Sequence, residues 1–194
     1  MDLSFDFTSI NRVKFNEDFT KLMLLDKDYL EIDKLPKIRD NTIYYFEDKV
    51  LKPMLFFSDE TNLVYKLIPT KDYPSFTISS TPMHQITFSS PREDAIKRAN
   101  LFKPIKKGDI ALDTCFGLGY SAIELSKYCK KVFTFEIDKN VIEIAKMNPC
   151  SQKAFTNKSI KLINSSVYDE VCNFKNNFFD LILHDPPTLT LAPE

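Results

Sequence analysis

Two short runs hold residue types at spacings that could do chemistry together. The first is Asp113-Thr114-Cys115-Phe116-Gly117-Leu118-Gly119-Tyr120-Ser121-Ala122, which joins an apolar run to an amphipathic one. Gly117 and Gly119 permit a tight turn and let a ligand approach the backbone closely, while the free N–H groups of a helix starting there point at it. Glu136 follows about 20 residues on, where a carboxylate accepts hydrogen bonds from a ribose diol. An adenosine-bearing ligand is the expected occupant.

Taken literally, Gly-x-Gly-x-x-Ala also meets the dinucleotide fingerprint of a dehydrogenase. Asp113 decides between the two. A carboxylate about 4 Å from a pyrophosphate is opposed by roughly 4 kcal/mol at an effective dielectric of about 20, whereas it favours a ligand carrying a sulfonium and an ammonium. The run therefore fits S-adenosylmethionine better than a nicotinamide dinucleotide. Its candidate contacts are Asp113, Thr114, Gly117, Gly119, Tyr120, Glu136 and Ile137, while Asp138 reads as the N-cap of the following helix rather than as a ligand.

The second run is Asp185-Pro186-Pro187-Thr188, directly after the apolar stretch FFDLILHD. Two consecutive prolines remove two backbone donors and fix φ twice, so the Pro186 carbonyl can be held pointing into a pocket beside the Asp185 carboxylate. Two acceptors at one place suit methylation of an amino group on an aromatic base. Hydrogen bonds accepted from that group favour a pyramidal nitrogen able to attack, and proximity with in-line alignment does the rest. Asp185 and Pro186 are the candidate catalytic residues.

The elements that must position these runs begin at Gly108. DIALDTC, KVFTFEI, SIKLIN and FFDLILHD read as strands, with helices at YSAIELSKYC and KNVIEIAKMN, the latter closed by Pro149. Strands apolar on both faces that alternate with amphipathic helices make an α/β, Rossmann-like parallel sheet. In such a sheet ligands lie at the carboxyl ends of the strands, which is where both runs fall. Upstream, Ser90-Pro91-Arg92-Glu93 is a capping box opening a helix that ends by Pro104.

Residues 1–88 contain no Gly, and TIYYFED, PMLFFSD and LVYKLIP read as strands after a helical stretch near residues 16–25. Pro74 and Pro82 break the chain after the last of them. The expected organisation is a small β-rich module over 1–88 and a ligand-binding sheet over 89–194.

The net charge of −1 across 194 residues argues against nucleic-acid binding by bulk electrostatics. A local basic patch remains, in Lys97, Arg98, Lys103, Lys106 and Lys107, although a solvated helix face explains such a run as well. No apolar stretch is long enough to span a membrane, and the acidic start MDLSFDFTSINR is unlike a signal peptide. Four scattered cysteines and two distant histidines suggest reduced cytoplasmic thiols and no metal site.

Taken together, PSFTISSTPMHQIT, GDIALDTCFGLGYSAIELSK, AKMNPCS and LILHDPPTLTLA resemble class I S-adenosylmethionine-dependent methyltransferases, most nearly a group of predicted archaeal methyltransferases. The resemblance covers roughly residues 63–192 and implies S-adenosylmethionine as cofactor and Asp113, Gly117, Gly119, Glu136 and Asp185 as site residues. The Asp-Pro-Pro run is similar to the Asp/Asn-Pro-Pro-Tyr motif of amino methyltransferases, which makes a nucleobase nitrogen, foremost in RNA, the expected acceptor. This chain departs from the pattern at three places. Ser166 stands where an acid usually meets the adenine amino group, Thr188 where an aromatic ring is common, and Gln85 where Arg is usual.

The family sheet has seven strands and four are legible here, so the expected sheet is truncated after its fourth strand. A homo-oligomer, a second chain or the amino-terminal module is then expected to cover the open edge. Two alternatives stand beside the methyltransferase: a catalytically weak S-adenosylmethionine-binding subunit or half of a split enzyme, and an aminopropyl transferase.

Overall fold

The computed structural model describes residue 37 and residues 39–84 and 87–186, and before them the backbone of three short strands. Those strands, β1 (Lys14–Phe15), β2 (Lys21–Met23) and β3 (Tyr29–Glu31), pair antiparallel in that order. The helix expected near residues 16–25 is thereby corrected. Lys21–Met23 is a strand, and the rest of that span lies outside the described residues. The run from Leu22 to Leu25 is apolar without interruption, and such a run has no period by which helix and buried strand can be told apart.

β4 (Tyr44–Glu47) and β5 (Val50–Pro53) form a hairpin whose turn residues Asp48 and Lys49 have φ of 49° and 59°. Positive φ at both positions matches the right-handed twist of the flanking strands. β6 (Leu55–Ser58), β7 (Leu63–Ile68), β8 (Ser75–Ile78) and β9 (Thr81–Pro82) then make an antiparallel sheet in sequence order. Here the sequence reading needs a second correction. Pro74 and Pro82 do not close the strand region but frame a further strand pair, with Pro82 on the edge strand, where a missing N–H is tolerated.

α1 (Pro91–Leu101) opens on the expected capping box: Ser90 Oγ accepts from the Glu93 N–H at 3.2 Å, and the Glu93 carboxylate accepts from the Ser90 N–H at 3.2 Å. Its buried side is Ala95 and Ala99.

From there strands and helices alternate: β10 (Ile110–Asp113), α2 (Tyr120–Leu125), β11 (Lys131–Glu136), α3 (Lys139–Met147), α4 (Gln152–Thr156), β12 (Ile160–Asn164), α5 (Val167–Glu170) and β13 (Leu181–Leu183). All four strands are parallel, in the order β12-β11-β10-β13. This is the expected Rossmann-like sheet preceded by antiparallel strands. α4 and α5 are too short to show a helical period in sequence. β13 is also shorter than its apolar run suggests. Pairing begins at Asp180, whose N–H donates to the Ile110 carbonyl at 2.8 Å and whose carboxylate accepts the Ile110 N–H at 2.8 Å. Phe178 and Phe179 lie before the strand and pack edge-on against Phe133.

A single buried cluster runs through both halves of the chain, joining Tyr65, Leu67 and Phe76 to Ala99, Leu118 and Tyr120. No helix among the described residues is long and apolar enough to cross a membrane.

Candidate active site

Parallel register brings the carboxyl ends of the strands to one edge, with Asp113 opposite both Thr134 and Leu183, and Glu136 opposite Asn164. Asp113 is 1% exposed. It accepts hydrogen bonds from Thr134 Oγ1 at 2.8 Å and from the Cys115 N–H. Burial, with smaller contributions from the charges of Asp185 and Glu136, nevertheless pushes its acid up to about 7.

The chain then turns through Gly117 and Gly119, with φ of 53° and 76°. The two glycines are required for different reasons. A Cβ on Gly119 would lie 2.6 Å from the Phe116 ring and 2.8 Å from Ala154, whereas one on Gly117 would meet nothing within 4 Å. Gly119 thus serves packing within the protein, while Gly117 faces open space.

Glu136 closes the opposite side. One carboxylate oxygen accepts from the Gly117 N–H at 3.0 Å and the other from the Asp138 N–H at 3.1 Å. The Ile137 N–H adds a third bond, and burial outweighs all three and pushes this acid up to about 7 as well. A carboxylate has about four acceptor positions, so about one remains for a ligand hydroxyl. Beside it Ile137 is 68% exposed. Asn164 ties β12 to β11 by donating to the Glu136 carbonyl at 2.7 Å. Ser166 caps α5, its hydroxyl accepting from the Tyr168 N–H at 3.2 Å.

Two of the expected contacts have side chains engaged elsewhere. The Tyr120 hydroxyl donates to the Pro74 carbonyl at 2.8 Å and accepts from Asn148 Nδ2 at 2.7 Å, so the ring joins the core to the antiparallel strands and only the backbone stays on the loop. Thr114 Oγ1 is 2.9 Å from His184 Nδ1, and the Thr114 N–H donates to the Leu183 carbonyl at 3.0 Å. The glycine loop and the turn after β13 are thereby fastened together.

Asp185 and Pro186 are exposed, while Pro187, Thr188 and Gln85 lie outside the described residues. The Asp185 carboxylate forms an ion pair with Arg98 of α1, whose second nitrogen reaches Asp94 at 2.7 Å. Arg98 therefore bridges two carboxylates instead of joining the basic run, and Lys103 covers the Tyr128 ring at 4.8 Å. Close by, His84 Nδ1 is 3.0 Å from Ser75 Oγ, with its ring near those of Phe76 and Tyr120. Burial, then the Arg98 charge, hold this imidazole down to about 4, so it is neutral at ordinary pH. Sequence reasoning placed Arg98 in the basic patch and not beside Asp185, and it did not single out His184 or Asn164 as site residues, since each acquires its role from a partner distant in the chain.

A glycine turn after the first strand of a parallel 3-2-1-4 sheet, with an acid at the tip of the second strand, is a Rossmann-like arrangement, one that the class I S-adenosylmethionine-dependent methyltransferases share. Residues 81–190 match the family described as Conserved hypothetical protein 95, and the chain belongs to that family. Uncharacterized protein MJ1233 of Methanocaldococcus jannaschii is 39% identical over 166 residues, 84% of this chain and 55% of that protein. The 23S rRNA (uracil(1939)-C(5))-methyltransferase RlmD of Legionella pneumophila is 32% identical over 117 residues, 55% of this chain and 26% of the relative. Among solved structures, spermidine synthase from Thermotoga maritima aligns with a TM-score of 0.52 at 18% identity, over 73% of this chain and 52% of that one. That share exceeds residues 81–190, so the likeness in fold extends into the antiparallel strands. The chain spans about half the length of the Methanocaldococcus relative.

Proposed function

We propose that this chain binds S-adenosylmethionine at the carboxyl ends of β10 and β11 and transfers its methyl group to a nucleobase nitrogen, with RNA as the acceptor. One observation carries the reading: the parallel register sets Asp113 and Glu136 at the carboxyl ends of neighbouring strands, and Glu136 accepts the Gly117 N–H at 3.0 Å, so two acids flank one glycine turn. That setting suits a positively charged ligand and opposes a pyrophosphate. The open space at Gly117 and the remaining acceptor capacity of Glu136 fit the adenosine half of such a ligand. Ile137 offers the adenine an apolar surface, and Ser166 a hydroxyl. S-adenosylmethionine, when bound, supplies a methyl group activated by its sulfonium.

The chain's own part is to orient and to accept. Glu136 takes hydrogen bonds from the ribose, and Asp113 balances positive charge. Asp185 and the Pro186 carbonyl take hydrogen bonds from the acceptor amino group, Arg98 retaining Asp94 as its partner. The named activity of the Legionella relative supports RNA as the acceptor class. Lys97, Lys103, Lys106 and Lys107 supply cations for its phosphates.

The test is transfer of labelled methyl to separate pools of RNA, protein and small molecules. Wild-type chain is expected to label RNA. Asp185→Ala is expected to keep its affinity for S-adenosylmethionine and lose transfer by on the order of 100-fold, the size of effect seen when one oriented polar group is removed from a reacting centre. Undiminished transfer would reduce Asp185 to a turn residue, and saturable NAD binding with no response to S-adenosylmethionine would overturn the cofactor. A second reading, a binding subunit without transfer, is favoured by the Arg98 pair that already engages Asp185. Cofactor binding with no labelled pool selects it.

A further inference from the structure

The antiparallel strands reach the ligand edge through one buried contact. Tyr65, on β7, is 0% exposed, and its ring stacks on Phe56 with centroids 5.3 Å apart. Its hydroxyl donates to Asp138 Oδ2 at 2.6 Å, across 73 residues of sequence. Asp138 is occupied on every side. Its other oxygen accepts from the Asn140 N–H at 2.8 Å and caps α3, and its own N–H donates to Glu136 at 3.1 Å. Glu136 in turn receives the Gly117 N–H at 3.0 Å. A continuous series of hydrogen bonds thus runs from the β7 core to the glycine loop.

We infer that Tyr65 is a positioning residue for the cofactor site: by fixing Asp138 it sets where the Glu136 carboxylate meets a ribose diol. The inference rests on the cofactor reading above. A freely placed aspartate would cap α3 equally well, so the cap alone does not require a buried tyrosine 73 residues away. Burial and the Asp138 bond push the Tyr65 phenol up to about 12, so it remains a donor throughout the working pH range. A second tie across the same boundary, the Glu60–Lys139 ion pair, is exposed on both sides and lies outside the series.

Calorimetry on the full chain separates positioning from mere support. S-adenosylhomocysteine and its 2′,3′-dideoxy analogue are titrated into wild type, Tyr65→Phe and Glu60→Gln. Tyr65→Phe should weaken S-adenosylhomocysteine about tenfold, the value of one well-placed hydrogen bond. The same variant should change affinity for the dideoxy analogue less than about twofold, because that ligand has no diol for Glu136 to meet. Glu60→Gln should leave both affinities unchanged. Asp138→Asn, which puts an NH2 donor in place of one of the two oxygens that hold the cap and Tyr65, should repeat the selective loss and serves if the phenylalanine variant folds poorly. Equal weakening of both ligands, or none, overturns the positioning role while leaving the cofactor reading intact. Failure of wild type to bind S-adenosylhomocysteine overturns both.

Discussion

At the scale of single residues the site is defined by acids held against their preference. Asp113 and Glu136 sit near pH 7, against ordinary values of 3.8 and 4.5, chiefly because burial disfavours their charge. Between roughly pH 4.5 and 7 the unfolded chain has released both protons while the folded chain keeps them. Stability should therefore fall as pH rises through that window and level off above it. A cationic ligand favours the ionised forms, so affinity for S-adenosylmethionine should climb with pH up to neutrality and binding should expel protons. Melting temperatures at about pH 5 and 7.5, with and without ligand, check both signs, and Asp113→Asn should flatten each curve. A free protein that is more stable at the higher pH would contradict the burial of these groups. The glycines and acids were legible because their spacing is local. The Arg98–Asp185 pair was not, because it joins residues 87 apart and nothing in either neighbourhood announces it.

Elements were legible where their ends carry a chemical mark. The capping box at Ser90 located the start of α1 correctly, and the structure adds that the Ser90 hydroxyl also donates to Asp72. Ser90→Ala should lower stability by about 1–2 kcal/mol, the usual loss for a cap. Chemical denaturation measures it, and an unchanged midpoint would mean that the box holds nothing. The β8–β9 pair escaped notice because its turn, Ser79-Ser80, takes φ of 44° and 74° with neither Gly nor Asn to signal it. β2 gives no strand signal in sequence because an unbroken apolar run has no period.

For the whole molecule, alternating apolar strands and amphipathic helices were enough to give the parallel sheet and the edge on which the site lies. They did not reveal how the sheet ends. Among the described residues β13 pairs only with β10, and its Ile182 is 56% exposed. An apolar edge strand of this kind templates the addition of another strand. A strand added to β13, from whatever segment or chain supplies it, is therefore expected to protect its amides. Light scattering with hydrogen exchange over residues 178–184 tests this, and a monomer whose amides there exchange rapidly would rule it out.

The buried cluster shared by both halves bears on how the protein comes apart. The family match begins at residue 81, yet Tyr65, Leu67 and Phe76 lie in the same core as Leu118 and Tyr120, and the Tyr120 hydroxyl is anchored on Pro74. Cooperative unfolding follows the packing of a core rather than the limits of a sequence match. Heating should give one transition, not two, and a fragment restricted to 81–190 should be produced as an insoluble chain, its Tyr120 face stripped of the strands that cover it. A soluble fragment with a sharp melt of its own would show that the two halves were joined by evolution without being joined in folding.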